Sequence, residues 1–172
     1  NINVSTLFNS NSILAQFFKT EILNNKNLNI KTIINSKKVF PYNNLKNLVA
    51  KIKIEEGLID IDNTKFSWFD YASFQISDSL IYINNNNLVL DGKFVATISD
   101  FNEIYKFLQT PRNYRKELKK IEFNFNYNFD QEIINFSDIK INDQTDQKVN
   151  KILKKFISKK NKIENRIHFK NL

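Results

Sequence analysis

The 172-residue chain is long enough for one domain with its own core and carries a formal net charge of +8. It has no Cys and a single His, which excludes disulfides, thiolate catalysis and cysteine-ligated zinc. Its apolar runs are a few residues long, against the roughly 20 that a membrane-spanning helix takes.

No signal-peptide pattern opens the sequence, and the absence of Met predicts a trimmed or processed piece of a larger protein. The positive charge comes almost wholly from Lys, with three Arg. Nucleic-acid readers favour Arg for bidentate contacts, so the balance fits an AT-rich genome as much as a nucleic-acid surface. An anionic membrane surface is a further partner open to it.

Along the chain, residues 1–27 are the least readable, although Leu14, Phe17 and Phe18 hint at a helix after Ser12. Leu28 to Ile34 reads as a strand. Leu48, Ala50, Ile52 and Ile54 alternate with Lys51 and Lys53, and Glu55–Gly57 make a turn back through Leu58 to Asp62. Asn63 and Thr64 are expected to turn the chain again into Lys65–Phe69. Phe74–Ile83 is the next strand, and the run Asn84–Asn87 is its hairpin turn, since Asn tolerates left-handed backbone angles. In the strand that follows, Leu88, Leu90, Gly92, Phe94, Ala96 and Ile98 share one face.

A helix is predicted over about 100–109, with Asp100 as N-cap, Glu103 completing a capping box and Pro111 as the stop. Ile121, Phe123, Phe125, Tyr127 and Phe129 then alternate with polar residues. The return strand, about Ile133–Ile141, slips phase near Ser137 and Asp138, the mark of a bulge. A second helix is predicted over about 145–158, with an apolar stripe of Val149, Ile152, Leu153 and Phe156 opposite a lysine face.

The fold class is therefore mainly β (α+β): a twisted, curved antiparallel sheet with two short helices, closed over a core or left open as a groove. The organisation is one domain, 1–172. Residues 28–143 form the sheet with its inserted helix, and 144–172 form a basic amphipathic helix and tail.

No catalytic constellation emerges, and the chain reads as a non-enzyme without cofactor or metal. His168 is alone, Gly57 and Gly92 are isolated, and no phosphate loop or nucleophile elbow exists. Asp60 and Asp62 share a strand face, with a solvated face expected before a cation site. Asp143 and Asp146 read as helix caps. Two surfaces stand out. Leu88, Leu90, Phe94, Ile98, Ile121, Phe123, Phe125 and Phe129 are expected to form one apolar surface, as core or as a lipid-facing groove. Arg112, Arg115, Lys116, Lys119 and Lys120, beside Tyr114, are candidates for contact with an anionic surface.

The stretches ISDSLIYINNNNLVLDGKFVATISDFNEIYKFL (Ile76–Leu108) and KKIEFNFNYNFDQEIINFSDIKIND (Lys119–Asp143) resemble the C-terminal region of AsmA-like proteins. The likeness lies in the order of strand, short helix at an Asp-Phe pair, alternating strand with a late Tyr, and return strand with an Asp-rich turn. It implies a non-catalytic periplasmic β-groove, tethered to the inner membrane by a segment outside this chain. It further implies a role in outer-membrane biogenesis or phospholipid transport between membranes, with phospholipid and the rest of the parent protein as partners. A basic nucleic-acid-binding or ribosome-associated protein is the alternative.

Overall fold

A computed structural model describes residues 2–3, 13–40, 42–145, 147 and 149–151. Strands β1 (Ile2–Asn3), β2 (Asn29–Phe40), β3 (Leu45–Glu55), β4 (Leu58–Asp60), β5 (Thr64–Trp68), β6 (Ala72–Asn84) and β7 (Asn87–Ile98) are followed by β8 (Lys120–Asn128), β9 (Ile133–Ile141) and β10 (Gln144–Thr145). All belong to one sheet that runs from β1 to β10 in chain order, antiparallel throughout except for the parallel β1–β2 contact. Helices α1 (Ile13–Lys19) and α2 (Phe101–Phe107) and two 3-10 turns (Ile22–Asn24, Arg112–Tyr114) complete the described elements.

The meander follows from the turn residues. Three hairpins have two central residues at positive φ, the geometry that suits the strands' own twist. They are Glu56–Gly57 (54° and 81°), Asn85–Asn86 (48° and 64°) and Asn142–Asp143 (50° and 63°). With so few glycines, Asn and Asp take most of these positions at modest cost. Gly57 is needed at its own: a Cβ there would lie 2.7 Å from the carbonyl oxygen of Asn24, which packs over the turn.

One expectation needs correction. Asn63 and Thr64 do not turn the chain into a new antiparallel strand. β4 and β5 follow one line between β3 and β6, interrupted at 61–63. The interruption is matched by a bulge in β6 at Asp78 (φ 50°). Asp62 joins the two, accepting from the Ser79 amide (2.8 Å) and hydroxyl (2.6 Å), while Ser79 Oγ accepts from the Ile61 amide (2.9 Å). Ser79 is buried, so these bonds satisfy groups that would be costly to leave unpaired.

The phase slip in β9 is a register shift with Asp138 at φ 53°. Asp100 caps α2 through the Glu103 amide at 3.1 Å. The reciprocal half of the capping box is not made: Glu103 pairs with Lys106, and the Asp100 amide donates to the Tyr71 carbonyl. The helix stops before Pro111. Gln109 is left-handed (φ 55°), and the Gln109 and Thr110 amides donate to the Lys106 and Tyr105 carbonyls, a Schellman arrangement.

Of the second expected helix, residues 147 and 149–151 are helical, and 152–158 lie outside the described residues. So do Asp146, His168 and the tail that follows the helix. Asp143 belongs to the β9–β10 turn rather than to a helix start, and it pairs with Lys120 at 2.9 Å.

The core lies on one side of the sheet. Ala15, Phe18 and Leu23 from α1 and its 3-10 turn pack on Ile54, Ile59, Ile81, Leu88, Leu90 and Phe129. Lys19 adds an ion pair to Asp130 in the β8–β9 turn. Burying a side chain such as Leu88 or Ile59 stabilises the fold by roughly 1.5–3 kcal/mol each.

Candidate binding face

Residues directly opposite each other in a sheet point to the same side. Leu90 lies opposite Tyr127, Gly92 opposite Phe125, Phe94 opposite Phe123 and Ala96 opposite Ile121. With Leu88 and Ile98 in phase on β7, and Phe129 in phase beyond β8, the register puts Leu88, Leu90, Phe94, Ile98, Ile121, Phe123, Phe125 and Phe129 on one face. The same face continues through Ile81, Ile76 and Phe74 on β6, Phe66 and Trp68 on β5, and Ile134 and Phe136 on β9.

This apolar face has three zones. At the Leu88 end α1 covers it, and Leu88, Leu90 and Phe129 are buried there. At the Ile98 end α2 folds over it: Phe107 meets Trp68 edge-on, ring centroids 4.6 Å apart. Between them runs a ribbon of five phenylalanines, one from each of β5 to β9. Phe66, Phe74, Phe94, Phe123 and Phe136 follow one another at centroid separations of 5.0, 5.4, 5.0 and 5.0 Å. All five are half-buried. Phe125 lies beside this ribbon and leans across the sheet. A Cβ on Gly92 would touch its ring at 3.1 Å and Ser79 Cβ at 3.4 Å, so the missing side chain of Gly92 makes the space that the ring fills.

The opposite face is more polar, and a trough of about 830 Å³ is lined by Lys93, Glu122, Asn124 and Asp138 together with Phe123 and Phe136 of the ribbon. Tyr82 Oη donates to Asp91 (2.9 Å), Asn126 donates to the same carboxylate (2.6 Å), and Asn124 donates to Asp138 (2.9 Å). Burial, reinforced by the Asp91 carboxylate, pushes the Tyr82 phenol up. Asp60 accepts from the Asp62 amide (3.2 Å), and Asp62 accepts from Ser79. Among the described residues no three His, Cys, Asp or Glu side chains converge on a metal position.

Three of the five basic residues around the start of β8 have local partners. Arg115 is half-buried, its Nε donating to the Thr110 carbonyl at 2.9 Å. Lys119 pairs with Glu117 at 3.1 Å, and Lys120 lies 2.9 Å from both Glu122 and Asp143. The hydrogen bond from Lys120 holds the Glu122 carboxyl below its usual range, against the effect of burial, while Asp143 and Glu122 raise Lys120 in turn. The segment is stitched down by Asn142, whose Oδ1 accepts from the Lys119 and Lys120 amides and whose Nδ2 donates to the Glu117 carbonyl. Arg112 and Lys116 are exposed on this connection, and Tyr114 is 69% exposed.

Set against protein-family models, curated proteins and solved structures, the chain matches none of them.

Sequence reasoning placed eight residues on the apolar face and missed Phe66, Phe74 and Phe136 as members of the ribbon. Phe74 and Phe136 alternate within their own strands, but which strands adjoin is a tertiary fact. Phe66 was further hidden because the interrupted strand β4–β5 reads in sequence as two strands with a turn.

Proposed function

We propose that this sheet is a non-catalytic acyl-chain-binding surface of a larger envelope protein, acting in phospholipid transport between membranes or in outer-membrane biogenesis, as the AsmA-like resemblance implies. The observation that carries the reading is the ribbon Phe66–Phe74–Phe94–Phe123–Phe136. Its rings are only partly buried between α1 and α2, where an ordinary core would bury them fully. Five strands at their usual spacing make a track on the order of 20 Å long, comparable with an extended long acyl chain. A row of aromatic rings offers such a chain apolar contact without hydrogen-bonding demands.

The test compares wild type, Phe94→Leu and Phe94→Asp for co-purified phospholipid and for binding of a fluorescent fatty acid. Wild type and Phe94→Leu retain lipid. Phe94→Asp loses it with the thermal transition kept, because a carboxylate is expensive to desolvate against an alkyl chain. Wild type free of lipid and unable to bind the probe overturns the reading, as does salt-sensitive retention of RNA by the same preparation.

A further inference from the structure

Among the described residues, the first long strand of the sheet has an outer edge that is paired only at its end. β2 pairs inward with β3 at nine positions, from Asn29 opposite Glu55 to Lys38 opposite Lys46. On its outer side Val39 and Phe40 pair with Ile2 and Asn3 of β1. From Asn29 to Lys38 no further strand lies along it among the described residues. Such an edge presents a row of backbone donors and acceptors, which proteins commonly blunt with bulges, Pro or charge. β2 has no residue at positive φ and no Pro, so charge alone guards it.

That charge has one sign. Asn29–Phe40 contains Lys31, Lys37 and Lys38, all exposed, and no acidic residue. Ile33 between them is 61% exposed. On β3, Lys53 lies opposite Lys31, and its own charge is taken up by Glu55. The β1 contact shows that this edge accepts an added strand. A second copy of the chain would bring three more lysines and no carboxylate to this edge. Antiparallel β2–β2 pairing centred on Ile34 would set Lys31 against Lys37, and like charges directly opposite repel.

We propose that the outer edge of β2 is a docking site for an extended acidic segment of a partner protein, added to the sheet as one more strand beside Lys31, Lys37 and Lys38. The backbone ladder supplies affinity and the alternate side chains supply specificity: carboxylates meet the lysines, and a β-branched residue covers Ile33. The proposal concerns the edge of the sheet and is independent of what its apolar face binds.

The probes are two synthetic ten-residue peptides, one alternating Glu with Val and the other Lys with Val, added to the whole chain and read by amide hydrogen exchange. The Glu–Val peptide slows exchange over residues 29–38 saturably, by at least about tenfold, and less in about 0.5 M salt. The Lys–Val peptide leaves it unchanged. In the K31E/K37E double variant the preference reverses, while unchanged protection of β7 shows the fold intact. Failure of both peptides to protect the edge, or a preference indifferent to the charge reversal, overturns the proposal. Protection of 29–38 in the free chain equal to that of β7 also overturns it. If that protection rises with protein concentration, a second copy occupies the edge; if not, the chain's own remaining residues do.

Discussion

Gly92 and Phe125 show how a single residue shapes the face. Sequence alternation gives the phase of both but not the tilt of the ring. Phe125 leans over Gly92 because nothing projects from β7 at that position. Replacing Gly92 with Ala places a methyl 3.1 Å from the ring. The ring must lift, and Gly92→Ala is expected to destabilise the fold by about 1–2 kcal/mol, the scale of modest overpacking. Denaturant unfolding measures the loss, and a changed near-ultraviolet circular-dichroism signal reports the displaced ring. An unchanged midpoint and spectrum would mean that the ring does not lie there.

At the scale of the element, α2 was the most legible from sequence. Its N-cap, Asp100, is where the Asp–x–x–Glu spacing puts it, because the cap is a local event within four residues. What the spacing could not give is that Tyr71, far back in the chain, supplies a carbonyl to the Asp100 amide and so relieves Glu103 of that task. Asp100→Ala is therefore expected to cost about 1 kcal/mol, and Glu103→Gln much less, when thermal unfolding of the two is compared. A Glu103→Gln loss as large as that of Asp100→Ala would restore the full capping box. Helix α1 is the opposite case. Its buried residues Ala15 and Phe18, with Leu23 of the following 3-10 turn, are joined by a long-range tie from Lys19 to Asp130 that no local pattern announces.

For the molecule as a whole, that tie sets an acid limit. Burial by itself would raise the Asp130 carboxyl, but hydrogen bonds from Lys19 and from the Leu88 amide (2.8 Å) outweigh it and hold it below the usual range. Glu122 is also lowered. Groups depressed in the folded state contribute stability above their unfolded pKa of about 4 and lose it as pH falls through the folded value. Lys120, raised by Asp143 and Glu122, contributes below about pH 10.5 and loses that contribution as pH rises further. The transition temperature is thus expected to be level near neutrality and to fall below about pH 4. Asp130→Asn is expected to be less stable than wild type at pH 7, by about 1 kcal/mol, with the gap closing in acid. A gap that persists at pH 2 would assign the loss to the backbone bond to Leu88 instead of the charge.

Period-two alternation along β7 and β8, the Asn turn at 84–87 and the bulge in β9 were all readable from the chain, because strand phase and turn chemistry are local. The sequence by itself determined a mainly antiparallel sheet, its main hairpins and the membership of one apolar face. Only the tertiary structure decided that β4 and β5 are one interrupted strand. It also lined up phenylalanines from five strands in a ribbon, and tied up Lys119, Lys120 and Arg115 in local pairs. The physical reason is common to the interrupted strand and the ribbon. Each depends on which strands stand 5 Å apart and in what register, and residues such as Phe66 and Phe136, seventy positions apart in the chain, meet on one face only after every intervening strand has paired.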